Sequence, residues 1–126
     1  MMKTLQDKMV LSNGQHIPYI GLGVFQMSEQ NYITQAVMQA IQTGYRLFDT
    51  AAVYNNEKKV GSAIKECHVA RQELFISSKI WNGHQGYDET LFCLRTHTSQ
   101  FAIRLFGSIF NTLAYFRQVF RYMACI

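Results

Sequence analysis

From Ile20 to Ser78 the chain alternates short apolar runs with segments of helical period, joined by brief connections. No other feature constrains its fold as tightly. Ile20-Gly-Leu-Gly23 reads as a strand, and Ile33, Ala36, Val37, Ala40 and Ile41 then recur at the spacing of one helix face until Gly44 supplies a stop. Tyr45-Arg-Leu-Phe48 predicts a second strand. A second helix starting near Asn55 or Asn56 runs through Val60 and Ile64 and ends before His68, and Leu74–Ser78 makes a third strand. Strand, helix, strand, helix, strand implies an α/β chain with a parallel sheet and right-handed crossovers. Ahead of it, Asn13-Gly14 lies between two apolar stretches within residues 9–20, a pair suited to the type I′ turn of a two-residue hairpin.

With 126 residues, 48% of them hydrophobic and 16% charged, the chain has the composition of one globular domain rather than a disordered one. The net charge of +4 suggests a nucleic-acid or anionic-membrane partner only until its location is considered. Residues 1–90 carry eight Lys/Arg against eight Asp/Glu, whereas 91–126 hold four Arg, no acid and six of the nine Phe. Composition changes near Leu91. Cys67, Cys93 and Cys125 fit no zinc spacing and cannot all pair, no metal site is expected, and the first residues lack an apolar leader core. A cytoplasmic location is the expectation. Arg104, Arg117 and Arg121 interrupt the tail, so no apolar run approaches the roughly 18 residues of a spanning helix.

Three polar residues fall at or just beyond strand ends: Asp49 after 45–48, Tyr54 in the next loop, and Lys79 after 74–78. In a parallel barrel such positions share one face, where catalytic groups collect. A tyrosine hydroxyl, with an ordinary pKa of ~10, is a weak acid at neutral pH. A neighbouring lysine cation favours the phenolate, and an aspartate can hold that lysine. Such a trio donates a proton to a carbonyl oxygen while hydride reaches the carbon. Each residue alone has a plainer reading as a helix cap, a packing ring or a solvated charge.

The surroundings decide between these readings. Gly44 to Glu57 (GYRLFDTAAVYNNE), Val60-Gly61-x-Ala63-Ile64, and Leu74 to Asn82 (LFISSKIWN) closely resemble the aldo-keto reductase family. Leu11 to Phe25 is similar to its opening hairpin and first barrel strand, so the resemblance covers about residues 9–91. It implies the N-terminal part of a (β/α)8 TIM barrel that reduces aldehydes and ketones with NADPH through an Asp, Tyr, Lys and His tetrad. Asp49, Tyr54 and Lys79 match the first three members. The resemblance further implies that Gly23, Val24, Phe25 and Asp49 border the cofactor and that Phe25 and Trp81 line the substrate pocket. His84 does not match the tetrad histidine, which follows the fourth strand in an Ile-His-Trp-Pro-like segment; a loop or capping role is expected for it. His16, His68 and His97 are given no catalytic role.

Beyond Leu91 the residues Phe92 to Gln100 (FCLRTHTSQ) read as neither the family's next helix nor its fourth strand, which divides the chain into 1–91 and a non-family tail, 92–126. The second base of nearly every codon is set by the amino acid, so reading one base later allows few outcomes per position. Permitted codons for Cys93 through Phe116, read that way, give AFEHTLHNLQFDYLDLFLIHWPIS, and continuing through Cys125 gives DKYFDTWRA. The family's histidine segment is in that string. Phe92-Cys93 can be encoded TTT TGC, and removing one T restores the family frame, which points to a single-base insertion. Off-frame sequence has no reason to balance its charge, so the basic tail needs no nucleic-acid or membrane partner. Its positions Phe101, Leu105, Ile109, Leu113, Phe116 and Phe120 make a partial helical stripe.

A complete barrel needs about 250 residues. The expectation is therefore a truncated barrel unable to close, prone to aggregation through its open edge, and an inactive product of a carbonyl-reducing, usually monomeric family. Two other classes compete: a non-enzymatic subunit that pairs its sheet edge with another chain, and a basic aromatic tail that binds an anionic surface.

Overall fold

The computed structural model describes residues 4–27, 30–84, 86–101 and 108–111. A two-stranded antiparallel hairpin, β1 (Lys8–Val10) and β2 (His16–Pro18), precedes the main sheet. The expected two-residue turn is replaced by a longer one. Gly14 N donates to Leu11 O (2.9 Å), Leu11 N donates to Gln15 O (2.7 Å), and only Gly14 of the Asn-Gly pair has positive φ (+81°). That is a turn closed by a left-handed glycine, and Asn13 instead accepts from Gln15 N through Oδ1 (3.0 Å).

The main sheet has the order β3-β4-β5-β6, all parallel, from β3 (Gly21–Gly23), β4 (Leu47–Asp49), β5 (Phe75–Ile80) and β6 (Ser108–Asn111). Helices α1 (Gln30–Thr43), α2 (Glu57–Glu66) and α3 (Tyr87–Phe101) connect these strands in turn, with α1 packed on α2 and α2 on α3. Among the described residues the sheet is open, with β3 and β6 at its edges. The expected α/β part-barrel is what the chain forms.

Period dictates the core. Ile33, Val37 and Ile41 make the buried stripe of α1, Val60, Ala63 and Ile64 that of α2, and these close over Phe48 and Ile76 of the sheet. Each such large side chain contributes roughly 1.5–3 kcal/mol by leaving water. Gly44 ends α1 as expected: at φ +113° its N–H reaches back to Ala40 O and Ile41 O, both 3.1 Å. Gly21 is required for close packing, because a Cβ there would lie 2.5 Å from Leu47 Cγ.

Two strands extend further than the apolar runs suggested. Asp49 is the last residue of β4 rather than the residue after it, and Lys79 lies inside β5. The backbone ladder carries them, since Asp49 registers with Gly23 and Ser77, and Lys79 with Phe110. Past Leu91 the reading of 92–100 as no part of a helix is corrected. Helix α3 continues through residue 101, and Ser108–Asn111 pairs in parallel with Ser77–Ile80. No Gly or Pro interrupts 87–101, so nothing stops the helix. The exposed N–H and C=O row of β5 accepts an extended segment whatever its side chains. Of the proposed helical stripe, Ile109 is thus in a strand and Phe101 closes α3, while Leu105, Leu113, Phe116 and Phe120 lie outside the described residues. No described helix is long and apolar enough to cross a membrane.

Candidate active site

Parallel pairing brings Gly23 and Asp49, at the C-terminal ends of β3 and β4, side by side with Ser77 in the middle of β5, because they are register partners in successive ladders. Asp49 is the hub. Its Oδ1 accepts a hydrogen bond from Ser77 Oγ at 2.6 Å, and its Oδ2 forms an ion pair and hydrogen bond with Lys79 Nζ. The same ammonium donates to Thr50 O at 3.1 Å and stands 5.6 Å from the ring centroid of Tyr54. The cation therefore reaches the aromatic ring of the expected proton donor while its carboxylate partner fixes it from the strand below. Asp49 and Lys79 are both partly exposed, so the cluster opens on the face above the strand ends.

Tyr54 ends a 3-10 turn, Ala52–Tyr54, that links β4 to α2, and its N–H donates to Ala51 O at 3.0 Å. Its ring meets that of Phe25 at a centroid distance of 4.9 Å and an interplanar angle of 52°. Asp49, Tyr54, Lys79 and Phe25 thus form one cluster. Val24 is fully buried and donates its N–H to Asp49 O (3.0 Å), which ties the end of β3 to the hub. Phe25 is 62% exposed and Trp81 46% exposed, so both rings present apolar surface to solvent. A cleft of about 320 Å³ lies beside the cluster, lined by Ala52, Val53, Trp81, His84, Phe92, Cys93 and Thr96. His84 is exposed on a 3-10 turn there, apart from the Asp49 ion pair. Burial, with the carboxylates of Glu89 and Glu57, pushes the Cys93 thiol up.

Sequence reasoning missed a second polar layer beneath the cluster. Thr50 Oγ1 donates to Asn56 Oδ1 (2.9 Å), and Asn56 Nδ2 donates to Val24 O (2.9 Å) and Met27 O (3.2 Å). Ser78 Oγ donates to Glu57 Oε1 at 2.7 Å, with both residues buried. The available signal was a run of short polar residues, Ser77-Ser78 and Asn55-Asn56-Glu57, at strand and helix ends where apolar residues otherwise fill the core.

The open parallel sheet agrees with that of known proteins to which this chain is similar. The aldo/keto reductase family profile covers residues 19–100. The chain belongs to the aldo/keto reductase family. It is 53% identical over 91 residues to a glyoxal reductase of Bacillus subtilis, an alignment spanning 72% of this chain and 33% of that enzyme. The crystal structure of an aldo/keto reductase from Brucella melitensis superposes with a TM-score of 0.83 at 32% identity, covering 94% of this chain and 48% of that one. A Bombyx mori aldo-keto reductase solved in complex with NADP gives 0.76 at 30% identity, over 84% of this chain and 37% of that one. The chain spans about a third of the length of the curated relatives it matches. Its four strands are the first part of their barrel.

Proposed function

We propose that this chain carries the proton-donating half of an NADPH-dependent carbonyl reductase site, with Tyr54 as acid, Lys79 as its electrostatic support and Asp49 as the anchor of Lys79. The observation that carries the reading is the joint geometry of Asp49, Lys79 and Tyr54 above the ends of two adjacent strands. As Tyr54 passes its phenolic proton to the carbonyl oxygen of a small aldehyde or ketone, negative charge develops on its oxygen. The Lys79 ammonium offsets that charge in place, without solvent having to reorganise. Asp49, held by Ser77, keeps the ammonium from swinging away.

The surroundings fit a nicotinamide cofactor. A Cβ at Gly23 would meet nothing within 4 Å, so the space above the end of β3 is open beside Asp49. Gly23, Val24, Phe25 and Asp49 would border the ring, and Phe25 and Trp81 the substrate. NADPH, when bound, supplies the hydride.

We further propose that residues after Phe92 are translated out of frame and that the chain as it stands does not turn over. The strand position supports this: β6 occupies codons 108–111, where the shifted reading gives Leu-Phe-Leu-Ile, and the shifted histidine falls at codon 112. Both readings thus put an extended segment at the same place, and only the shifted one follows it with the tetrad histidine. Sequencing the DNA across codons 91–94 tests the frame. A T run whose shifted reading lacks His-Trp-Pro overturns it. In the frame-restored protein, NADPH oxidation with small aldehydes is expected, with Tyr54→Phe lowering kcat by about 10²–10⁴-fold and Lys79→Met similarly damaging. Near-full turnover in Tyr54→Phe removes that residue from its role.

A further inference from the structure

Asn56 occupies the position before α2, where an asparagine ordinarily turns its side-chain oxygen onto the first free N–H groups of the helix. Here it makes no such bond. The side chain is only 1% exposed, and its amide points the other way: Oδ1 takes the Thr50 hydroxyl, and Nδ2 splits its two hydrogens between Val24 O and Met27 O. Those two carbonyls bracket a four-residue turn, Val24-Phe25-Gln26-Met27, which Met27 N closes on Val24 O at 3.3 Å. Gln26 sits in that turn at φ +60°, a left-handed conformation costing a residue with a Cβ about 1–2 kcal/mol. A turn of this kind ordinarily recruits glycine or asparagine. The 3.3 Å closing bond is weak, so the conformation needs support from outside the turn.

We infer that Asn56 is a positioning residue that clamps the 24–27 turn and thereby sets the contact between Phe25 and Tyr54. The inference rests on the reading of Tyr54 as the proton donor, and deepens it by naming what fixes the wall of the site against the acid. Three consequences of one side chain meet here. Asn56 is two residues from Tyr54 in sequence, holds the turn carrying Phe25 through two donors, and is itself held to Thr50, the neighbour of Asp49. The clamp thus spans both loops of the site, and Phe25 is carried to the Tyr54 ring although its own side chain is largely unburied.

At a centroid distance of 4.9 Å the ring current of Phe25 should shift the Tyr54 ring protons, and Phe25→Leu defines the chemical shifts they take without it. The test is NMR on the 126-residue chain with labelled tyrosine, combined with amide exchange. Asn56→Asp keeps the shape and the acceptor for Thr50 but loses both donors. It is expected to move the Tyr54 signals to their Phe25→Leu values and to raise Met27 amide exchange about tenfold, the scale of one lost hydrogen bond. Val37 and Ile76 amides should keep their protection. Asn56→Ser, a smaller residue with one hydroxyl donor, should give an intermediate shift. Unchanged Tyr54 signals in Asn56→Asp overturn the inference. Loss of protection at Val37 and Ile76 in both variants also overturns it, because Asn56 would then serve the whole fold. Activity surviving Tyr54→Phe in the frame-restored protein removes the acid assignment and leaves the clamp measurement standing.

Discussion

Strands β5 and β6 lie next to one another in the same parallel ladder, and two kinds of contact meet in β5: the backbone register the two strands share and the side-chain bonds that β5 sends into the site. Five of the six residues of β5 are buried, and Ser77, Ser78 and Lys79 bond respectively to Asp49, Glu57 and the Asp49–Thr50 end of β4. For β6 the structure shows backbone register, Ser77 against Ser108 through Ile80 against Asn111. The difference teaches that a place in a sheet is permissive and a place in a site is not. Main-chain hydrogen bonds accept any extended segment without proline, and Ser108–Asn111 fills the slot beside β5. Proton transfer needs particular side chains at particular distances.

The comparison breaks most decisively if β6 already suffices. The 126-residue chain, purified free of host reductases, should show no carbonyl-dependent NADPH oxidation above a protein-free control, whereas the frame-restored protein should turn over. Orientation accounts for a large part of a catalysed barrier, and Asp49, Tyr54 and Lys79 alone do not hold a dinucleotide in place. Turnover of an aldehyde by the short chain, abolished by Tyr54→Phe, would show that permissive pairing is enough for chemistry.

A smaller effect sharpens the contrast in stability. Ile76→Ala, at a fully buried position of β5, should lower unfolding free energy by about 2–5 kcal/mol. Urea unfolding followed by circular dichroism measures the loss, and an unchanged stability would mean that β5 is not anchored by its buried side chains. The smallest effect probes how the region past Leu91 meets the rest. The Cys93 thiol is pushed up by burial, Glu89 and Glu57, so at pH 8 less of it is thiolate than in an unperturbed cysteine. Glu57→Gln should therefore speed iodoacetamide alkylation of Cys93, by less than about tenfold. An unchanged rate would place α3 farther from α2 than the packed arrangement has it.

Legibility in the sequence followed the same division. The stripe Ile33, Val37, Ile41 and the stop at Gly44 were readable because period and backbone conformation are local properties. Asp49, Tyr54 and Lys79 were readable as candidates because a parallel sheet sends its strand ends to one face. The turn at Asn13-Gly14 was misread, since several turn types share that pair and the surrounding hydrogen bonds select among them. Asn56 was placed at a helix start, and nothing nearby in sequence showed that its amide would reach the carbonyls of Val24 and Met27, about thirty residues earlier.

By itself, then, the sequence determined the order of strands and helices as far as β5, the family, the three polar residues and the change of composition after Leu91, all of which are read from neighbours along the chain. Tertiary structure decided that Asp49 serves both Ser77 and Lys79, that Phe25 faces Tyr54, that Asn56 abandons its helix, and that Ser108–Asn111 becomes a strand. Each of these turns on a contact between residues distant along the chain or on an open edge waiting for a partner. Such contacts exist only once the backbone has closed the intervening loops, and no local propensity encodes them.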